Sequence, residues 1–254
     1  MDVFWSAPPV SRTLTALTFV QSALVYGGLL NGYHIIFRLD EILKLPPEIW
    51  RLVTPFLLTG PQLDFLWDLY FMYTYGSALE TGSSRFSAPD DFFVYVLFVG
   101  TVIVLTAGCL LGRLIFTSAL ILAFVYTWAQ DNRGRKVMFF VIQIPAEFLP
   151  FAMLTVTFVM SGWGGVKSQG TGILAAHLYD FLTRIYPTFG GGRNYITTPA
   201  FVRRLFDGQR DTARAYGTAY RPGQSTQGSS SSGWSSSFGT SWSSRGAGRR
   251  LGGD

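Results

Sequence analysis

Residues 45–54, LPPEIWRLVT, decide how the rest of the chain is read. They lie between two hydrophobic segments, and Trp50-Arg51 sits in an otherwise apolar run with helical spacing. Tryptophan favours the membrane–water interface, and an arginine at bilayer depth must find a partner or snorkel. The pair therefore marks a structured loop at a membrane surface with a packing job of its own. Around it, Ile35, Leu39, Ile42, Ile49, Trp50, Val53 and Leu57 fall near helical spacing, and Pro46-Pro47 interrupts them. The pattern predicts two short amphipathic pieces lying in one leaflet. An extra span is disfavoured there by Arg38, Asp40, Glu41, Lys44 and Glu48.

Composition sets the class. Of 254 residues only 14% are charged and 48% are hydrophobic, much of that in long runs before Tyr186. That is too much for a soluble core of this size, so an all-α polytopic membrane protein is predicted. Six candidate spans fall at 13–31, 63–79, 92–111, 114–129, 137–160 and 171–185. Several are near or below the roughly 20 residues that cross a bilayer. The second carries Asp64, Asp68, Thr74 and Ser77, and the fifth carries Gln143 and Glu147. Such groups are either satisfied inside an ordinary helix bundle or line a wet cavity open to one side. The lone cysteine, Cys109, excludes an intrachain disulfide and a cysteine-based zinc site, and is expected to be a small packing residue. No metal or other cofactor is predicted. The opening MDVFWSAPPVSR lacks a basic n-region and a cleavage site, so no removable signal peptide is predicted.

Basic residues orient the bundle. Arg133, Arg135 and Lys136 in one loop and the arginines of the C-terminal tail fall on the same side of six spans, which should be cytosolic. Arg38, Lys44 and Arg51 in the first loop outnumber Arg12 and argue the other way, but they belong to the interfacial segment. The expected division is a membrane domain over 1–205 and a Gly/Ser/Arg-rich, disordered tail over 206–254. The tail has no dense basic run, so nucleic acid is not an expected partner.

Taken in order, the landmarks resemble the derlin family, rhomboid-superfamily proteins of the endoplasmic reticulum (ER) membrane. They are PPVSR at 8–12, IWR at 49–51, DLYFMYTYGSALETG ending in Glu80-Thr81-Gly82, VYTWAQDNR at 125–133, HLYDFL at 177–182, and RIYPTFGGGRNYITTPAF at 184–201. Together they cover about the first 205 residues, and the resemblance implies a rhomboid-like six-helix bundle. A rhomboid protease carries a GxSG serine at the start of its fourth span and a histidine on the sixth. Here IFTSALI places Phe116 and Ala119 where the glycines would stand beside Thr117 and Ser118, while His177 keeps the histidine. The glycines let the backbone approach and shape the oxyanion site, so their loss points to a non-proteolytic protein. His177 is then a hydrogen-bonded packing residue or a polar lining of the cavity. The family's GxxxG on this span survives as Gly172 and Ala176, a small-xxx-small pair that still allows close helix approach.

At the C-terminus, Gly246-Ala247-Gly248-Arg249-Arg250-Leu251-Gly252 resembles the SHP box, a linear motif that docks on the AAA-ATPase segregase (valosin-containing protein in animals). Glycines allow an extended peptide to lie close to a surface, and Leu251 and Arg250 offer an apolar anchor and a charge. Arg245 stands where an aromatic residue usually precedes the first glycine, and Trp242 lies upstream. The resemblance implies a multi-pass ER protein with both termini cytosolic that acts in ER-associated degradation. Its implied partners are the segregase, an ER ubiquitin ligase complex, misfolded clients, membrane lipids and copies of itself. In that reading Trp50 and Arg51 hold the lumenal loop, Glu80 and Gly82 shape the cytosolic end of the second span, and Gly172 and Ala176 set helix spacing. Other readings are a client-binding scaffold without bilayer-perturbing activity, an active intramembrane serine protease, and a small-molecule transporter; no inverted repeat favours the last.

Overall fold

The computed structural model describes residues 7–83, 85–86, 88–139, 142–189, 196 and 198–210. Helix α1 is Pro9–Tyr26, α2 is Leu63–Gly82, and α3 is Pro89–Ile103, continued by a wider π-type stretch, Val104–Leu110. Helix α4 is Thr117–Asp131; α5 is Leu149–Asp180 and continues through Phe181–Ile185; α6 is Ala200–Arg210. Proline stands in the first turn of α1, α3 and α5, where its missing N–H costs nothing and its fixed φ suits the helix. In α3 it is followed by Asp90 and Asp91, whose charges complement the helix dipole.

Helix α4 is the axis of the bundle. Ten of its residues are buried, from Thr117 to Ala129, and α2 and α5 pack along it. A ring cluster of Phe86, Phe92, Tyr95, Phe124 and Tyr179 ties α3, α4 and α5 together, with Tyr95 and Tyr179 centroids 4.9 Å apart. The Tyr95 hydroxyl lies 2.7 Å from Thr127 Oγ1 and 3.1 Å from the Ala123 carbonyl, so its polar end is satisfied in the core. Outward-facing Leu17, Phe19, Leu66, Leu97, Leu105 and Val159 are exposed, the inverse of a soluble protein and the surface that lipid would cover. Among the described residues two stretches, Pro89–Leu110 and Ala146–Phe189, are long and apolar enough to cross a membrane.

Four expectations need correction. The fifth span does not begin at 137. Lys136–Phe139 and Ile142–Pro145 form an antiparallel hairpin with Val137 opposite Ile144, and α5 starts only after Pro145. Val137, Phe139 and Ile144 pack on the core while Met138 and Ile142 are exposed, a period of two hidden inside a string apolar but for Gln143. The structure is thus mostly helical with a small β element. The gap left at 161–170 is also mostly helix: the chain turns at Gly162, whose φ of 64° and ψ of −165° only glycine adopts readily, and Lys167 lies on helical turns. Cys109 is exposed rather than packed. Lastly, the first loop folds as four separate short turns, Gly32–His34, Leu39–Ile42, Ile49–Leu52 and Thr54–Phe56, rather than two short amphipathic pieces. At the other end, helical chain runs to Arg210, beyond the boundary placed at 205/206. Residues 211–254, including Gly246, Gly248, Arg250, Leu251 and Gly252, lie outside the described residues.

Candidate functional site: a clasped loop, a polar cavity and two helix-end junctions

The loop between α1 and α2 is built around Arg51. Its side chain is 1% exposed, yet its charge meets a carboxylate and two backbone carbonyls. Nη1 donates to the carbonyls of Tyr33 (2.7 Å) and Ile36 (2.9 Å), and Nε donates to Glu48 Oε2 (2.5 Å). The guanidinium also lies over the Tyr33 ring, 5.6 Å from its centroid. One side chain therefore fastens the Ile49–Leu52 turn to the segment that follows α1. Trp50 does a different job: half its surface is exposed, and Nε1 makes one long bond, 3.3 Å, to the His34 carbonyl. Leu43, Leu45, Ile49 and Val53 are exposed beside it, an apolar face suited to lipid headgroups and upper acyl chains.

Lysine at position 51 would keep the charge but lose the fork that reaches two carbonyls and a carboxylate together. Arg51→Lys is expected to cost about 2–3 kcal/mol and to open the loop to limited proteolysis, while Trp50→Ala leaves the cleavage pattern unchanged. Protease mapping of the two variants in detergent checks this.

Polar residues of α1 hold the other half of the loop. Gln21 Nε2 donates to the Thr54 carbonyl (2.7 Å), Ser22 Oγ to that of Leu57 (3.1 Å), and Tyr26 Oη to that of Thr59 (2.5 Å). From below, Thr117 Oγ1 donates to the Leu58 carbonyl (2.6 Å), and the Phe116 N–H to that of Pro55 (3.0 Å). Thr117, one of the two candidate nucleophiles, is thus committed to structure, closing the top of α4 against the loop.

Beneath Leu58 and Gly60 lies a cavity of about 600 Å³. Asp64 and Asp68 of α2, Arg113, Ser118 of α4, and Thr157 and Gln169 on either side of the Gly162 turn face into it. Of the two alternatives for the polar residues of α2, these carboxylates take the cavity. Arg113 Nη2 donates to the Gly164 carbonyl (2.5 Å), and Thr157 Oγ1 bonds Gln169 Oε1 (2.6 Å) across the break. Ser118 and His177 are not brought together. His177 is exposed, outside the cavity, and its Nδ1 lies 3.1 Å from the Tyr126 hydroxyl. Tyr126 follows Ser118 by eight residues, about 12 Å along the helix.

Helices α4 and α5 come very close at Gly172. A Cβ built there would lie 1.9 Å from the Ala119 carbonyl oxygen and 3.2 Å from the Ala123 nitrogen. Ala176, one turn on, is also buried in this contact region, whereas nothing lies within 4 Å of a Cβ at Gly170. Among the residues picked from sequence, Gly172 therefore meets α4 backbone to backbone.

Sixteen residues beyond Asp64, at the far end of α2, Glu80 is 7% exposed and reaches into the first turn of α1. Its Oε1 accepts the Val10 N–H (2.9 Å), and Oε2 accepts the Ser11 N–H (2.8 Å) and hydroxyl (2.7 Å). A carboxylate from another helix thus caps α1, satisfying donors that the helix cannot. Thr81 bonds only the Ser77 carbonyl of its own helix (2.7 Å), and Gly82 has open space around it. At the same end Arg85, 7% exposed, pairs with Asp131 of α4 and with Asp180 of α5 (2.6 Å). Ser83 Oγ adds a bond to Asp131 Oδ2 (2.5 Å). This junction of three chain segments was missed from the sequence. Asp131 and Asp180 sat inside the strings VYTWAQDNR and HLYDFL, and the lone charge closing each apolar run was the available signal.

A helical bundle with lipid-type outer surface, a loop clasped by a buried arginine, and a polar cavity at one end is the build of a membrane-embedded helical protein. The chain belongs to the Der1-like family, which residues 7–200 match. It is similar to Derlin-1 of Homo sapiens, 33% identical over 221 residues that cover 85% of this chain and 86% of that protein. Derlin-2.2 of Zea mays is 30% identical over 211 residues (78% and 83%), and Derlin-1 of Arabidopsis thaliana 27% identical over 206 residues (80% and 76%).

Proposed function

We propose that the chain is a non-proteolytic derlin of the ER membrane that helps misfolded proteins leave the ER for degradation, crossing the bilayer six times with both termini cytosolic. The observation that carries this reading is the polar cavity of about 600 Å³ under the Arg51-clasped loop, set inside a bundle whose outer surface is apolar. A polypeptide backbone in hydrocarbon costs several kcal/mol per unsatisfied group, and a cavity lined by Asp64, Asp68, Arg113 and Gln169 supplies partners part of the way across. With both termini cytosolic the cavity opens to the lumen, where clients begin. Trp50 and its apolar neighbours seat the loop in the lumenal leaflet, Arg51 keeps its shape, and Gly172 with Ala176 holds α5 against α4.

The same geometry supports the non-proteolytic reading. Phe116 and Ala119 replace the glycines of an oxyanion turn, Thr117 is spent on the loop, and His177 bonds Tyr126 instead of a nucleophile. In the scaffold reading the same surface would bind clients laterally for a ubiquitin ligase without perturbing the bilayer.

The tail motif, Gly246 to Gly252, is assigned to the segregase, whose pulling would supply the work. Pulldown of the AAA-ATPase by the detergent-solubilised chain tests this. Leu251→Ala and truncation after Gly208 are each expected to reduce recovery at least about tenfold, the loss of one anchor worth roughly 1.4 kcal/mol or more. Undiminished recovery with both variants removes the motif from the assignment.

A further inference from the structure

At the end of the bundle opposite the polar cavity, a second pocket of about 500 Å³ opens between the end of α4 and the turns that follow α5. Three guanidiniums line it: Arg85, Arg133 and Arg184. They are not equivalent. Arg85 is consumed by Asp131 and Asp180. Arg184 makes only a loose contact with Asp180, 3.7 Å, and its side chain is 59% exposed. Arg133 donates from Nε (2.9 Å) and Nη2 to one neutral acceptor, Gln130 Oε1, and among the described residues no carboxylate lies within ion-pairing distance of it. Three positive charges against two negative ones leave a net positive pocket in which the Arg133 fork faces a neutral amide that an anion can displace and the Arg184 fork is barely used. The lip is apolar: Ile185 lines the pocket, and Phe189 beside it is 86% exposed. Arg135 and Lys136, both exposed on the adjacent loop, raise the positive potential around the mouth.

We propose that this pocket binds the phosphate-bearing headgroup of an anionic phospholipid, gripped between Arg133 and Arg184 with its glycerol and upper acyl chains against Ile185 and Phe189. Guanidinium forks match phosphate oxygens two bonds at a time, which lysines on a flat surface do not. The pocket is several times larger than a bare phosphate needs, and one apolar wall suits a ligand with an apolar part. The inference rests on the chain being embedded in a membrane and is independent of any role in degradation.

The test is native mass spectrometry of the full chain in detergent, titrated with phosphatidylinositol, phosphatidylcholine or inorganic phosphate. Wild type is expected to hold phosphatidylinositol in clear preference to phosphatidylcholine. Arg133→Gln/Arg184→Gln should lower that occupancy about tenfold, as loss of two charge-assisted contacts predicts. Arg135→Gln/Lys136→Gln removes as much charge outside the pocket and should change occupancy less than about twofold. All four side chains are on the exposed side, and an unchanged unfolding midpoint confirms that each variant is folded. Equal losses in the two double variants would overturn the proposal, reducing it to general surface charge. Unchanged occupancy in Arg133→Gln/Arg184→Gln would overturn it outright, and inorganic phosphate binding as tightly as the lipid would overturn the lipid assignment.

Discussion

Replacing Glu80 by alanine is expected to destabilise the protein by about 3–5 kcal/mol, with a fall in its thermal midpoint on the order of 10 °C. Three donors from the start of α1, two backbone N–H groups and the Ser11 hydroxyl, converge on this one carboxylate at 2.7–2.9 Å. Ser11 is fully buried and Val10 nearly so, so water cannot replace what the alanine removes. Each orphaned donor then carries its desolvation cost in addition to the lost bond. Glu80→Gln should fall between, because one amide oxygen still accepts while the NH2 group opposes a donor. The neighbours serve as internal controls. Thr81→Ala loses only a bond within α2, and Gly82→Ala meets open space, so both should stay within about 0.5 kcal/mol of wild type. Thermal unfolding in detergent, followed by tryptophan fluorescence, measures all four. Equal effects at 80, 81 and 82 would mean that Glu80 does not cap α1.

The second large effect is expected at Gly172. A Cβ there would sit 1.9 Å from the Ala119 carbonyl oxygen, an impossible contact, so even alanine must force α5 away from α4. Overpacking commonly costs about 1–3 kcal/mol where side chains can shift. Here the obstacle is backbone on both sides, so Gly172→Val should exceed that range and leave little folded protein. Gly170→Ala, two residues earlier on the same helix, has free space and should be neutral or stabilising by up to about 1 kcal/mol through helix propensity. Size-exclusion profile and thermal midpoint of the pair provide the measurement. A Gly172→Val chain with a wild-type midpoint would show that α4 and α5 are not in backbone contact.

These two positions show what the sequence can and cannot tell. Small residues spaced by four mark a close helix crossing whatever the partner, so Gly172 and Ala176 were legible, although the partner Ala119 was not. Glu80-Thr81-Gly82 was legible as one motif, yet the three residues have unrelated jobs, which only the nearby start of α1 reveals. Arg51 announced itself as a charge in an apolar run, but two of its partners are carbonyls at Tyr33 and Ile36, and a carbonyl has no signature in sequence. The junction at Arg85 joins residues 46 and 95 positions away, a separation at which periodicity says nothing. The hairpin from Lys136 to Pro145 was lost for a different reason: VMFFVIQI is apolar at every position but Gln143, and composition overrode its alternation. The start of α2 at Leu63 was placed correctly because Asp64 follows a Gly-Pro break that no helix crosses easily.

In the proposed function the clasped loop and the cavity beneath it move clients out of the ER. This role is tested most directly by following a misfolded lumenal glycoprotein after translation is stopped. The cells would lack their own derlins and express either this chain or its Trp50→Ala/Arg51→Ala variant. Wild type is predicted to restore client degradation; the double variant should leave the client in the ER while still recovering the AAA-ATPase in a pulldown. Degradation at the wild-type rate by the variant, or none restored by the wild-type chain, would contradict the account.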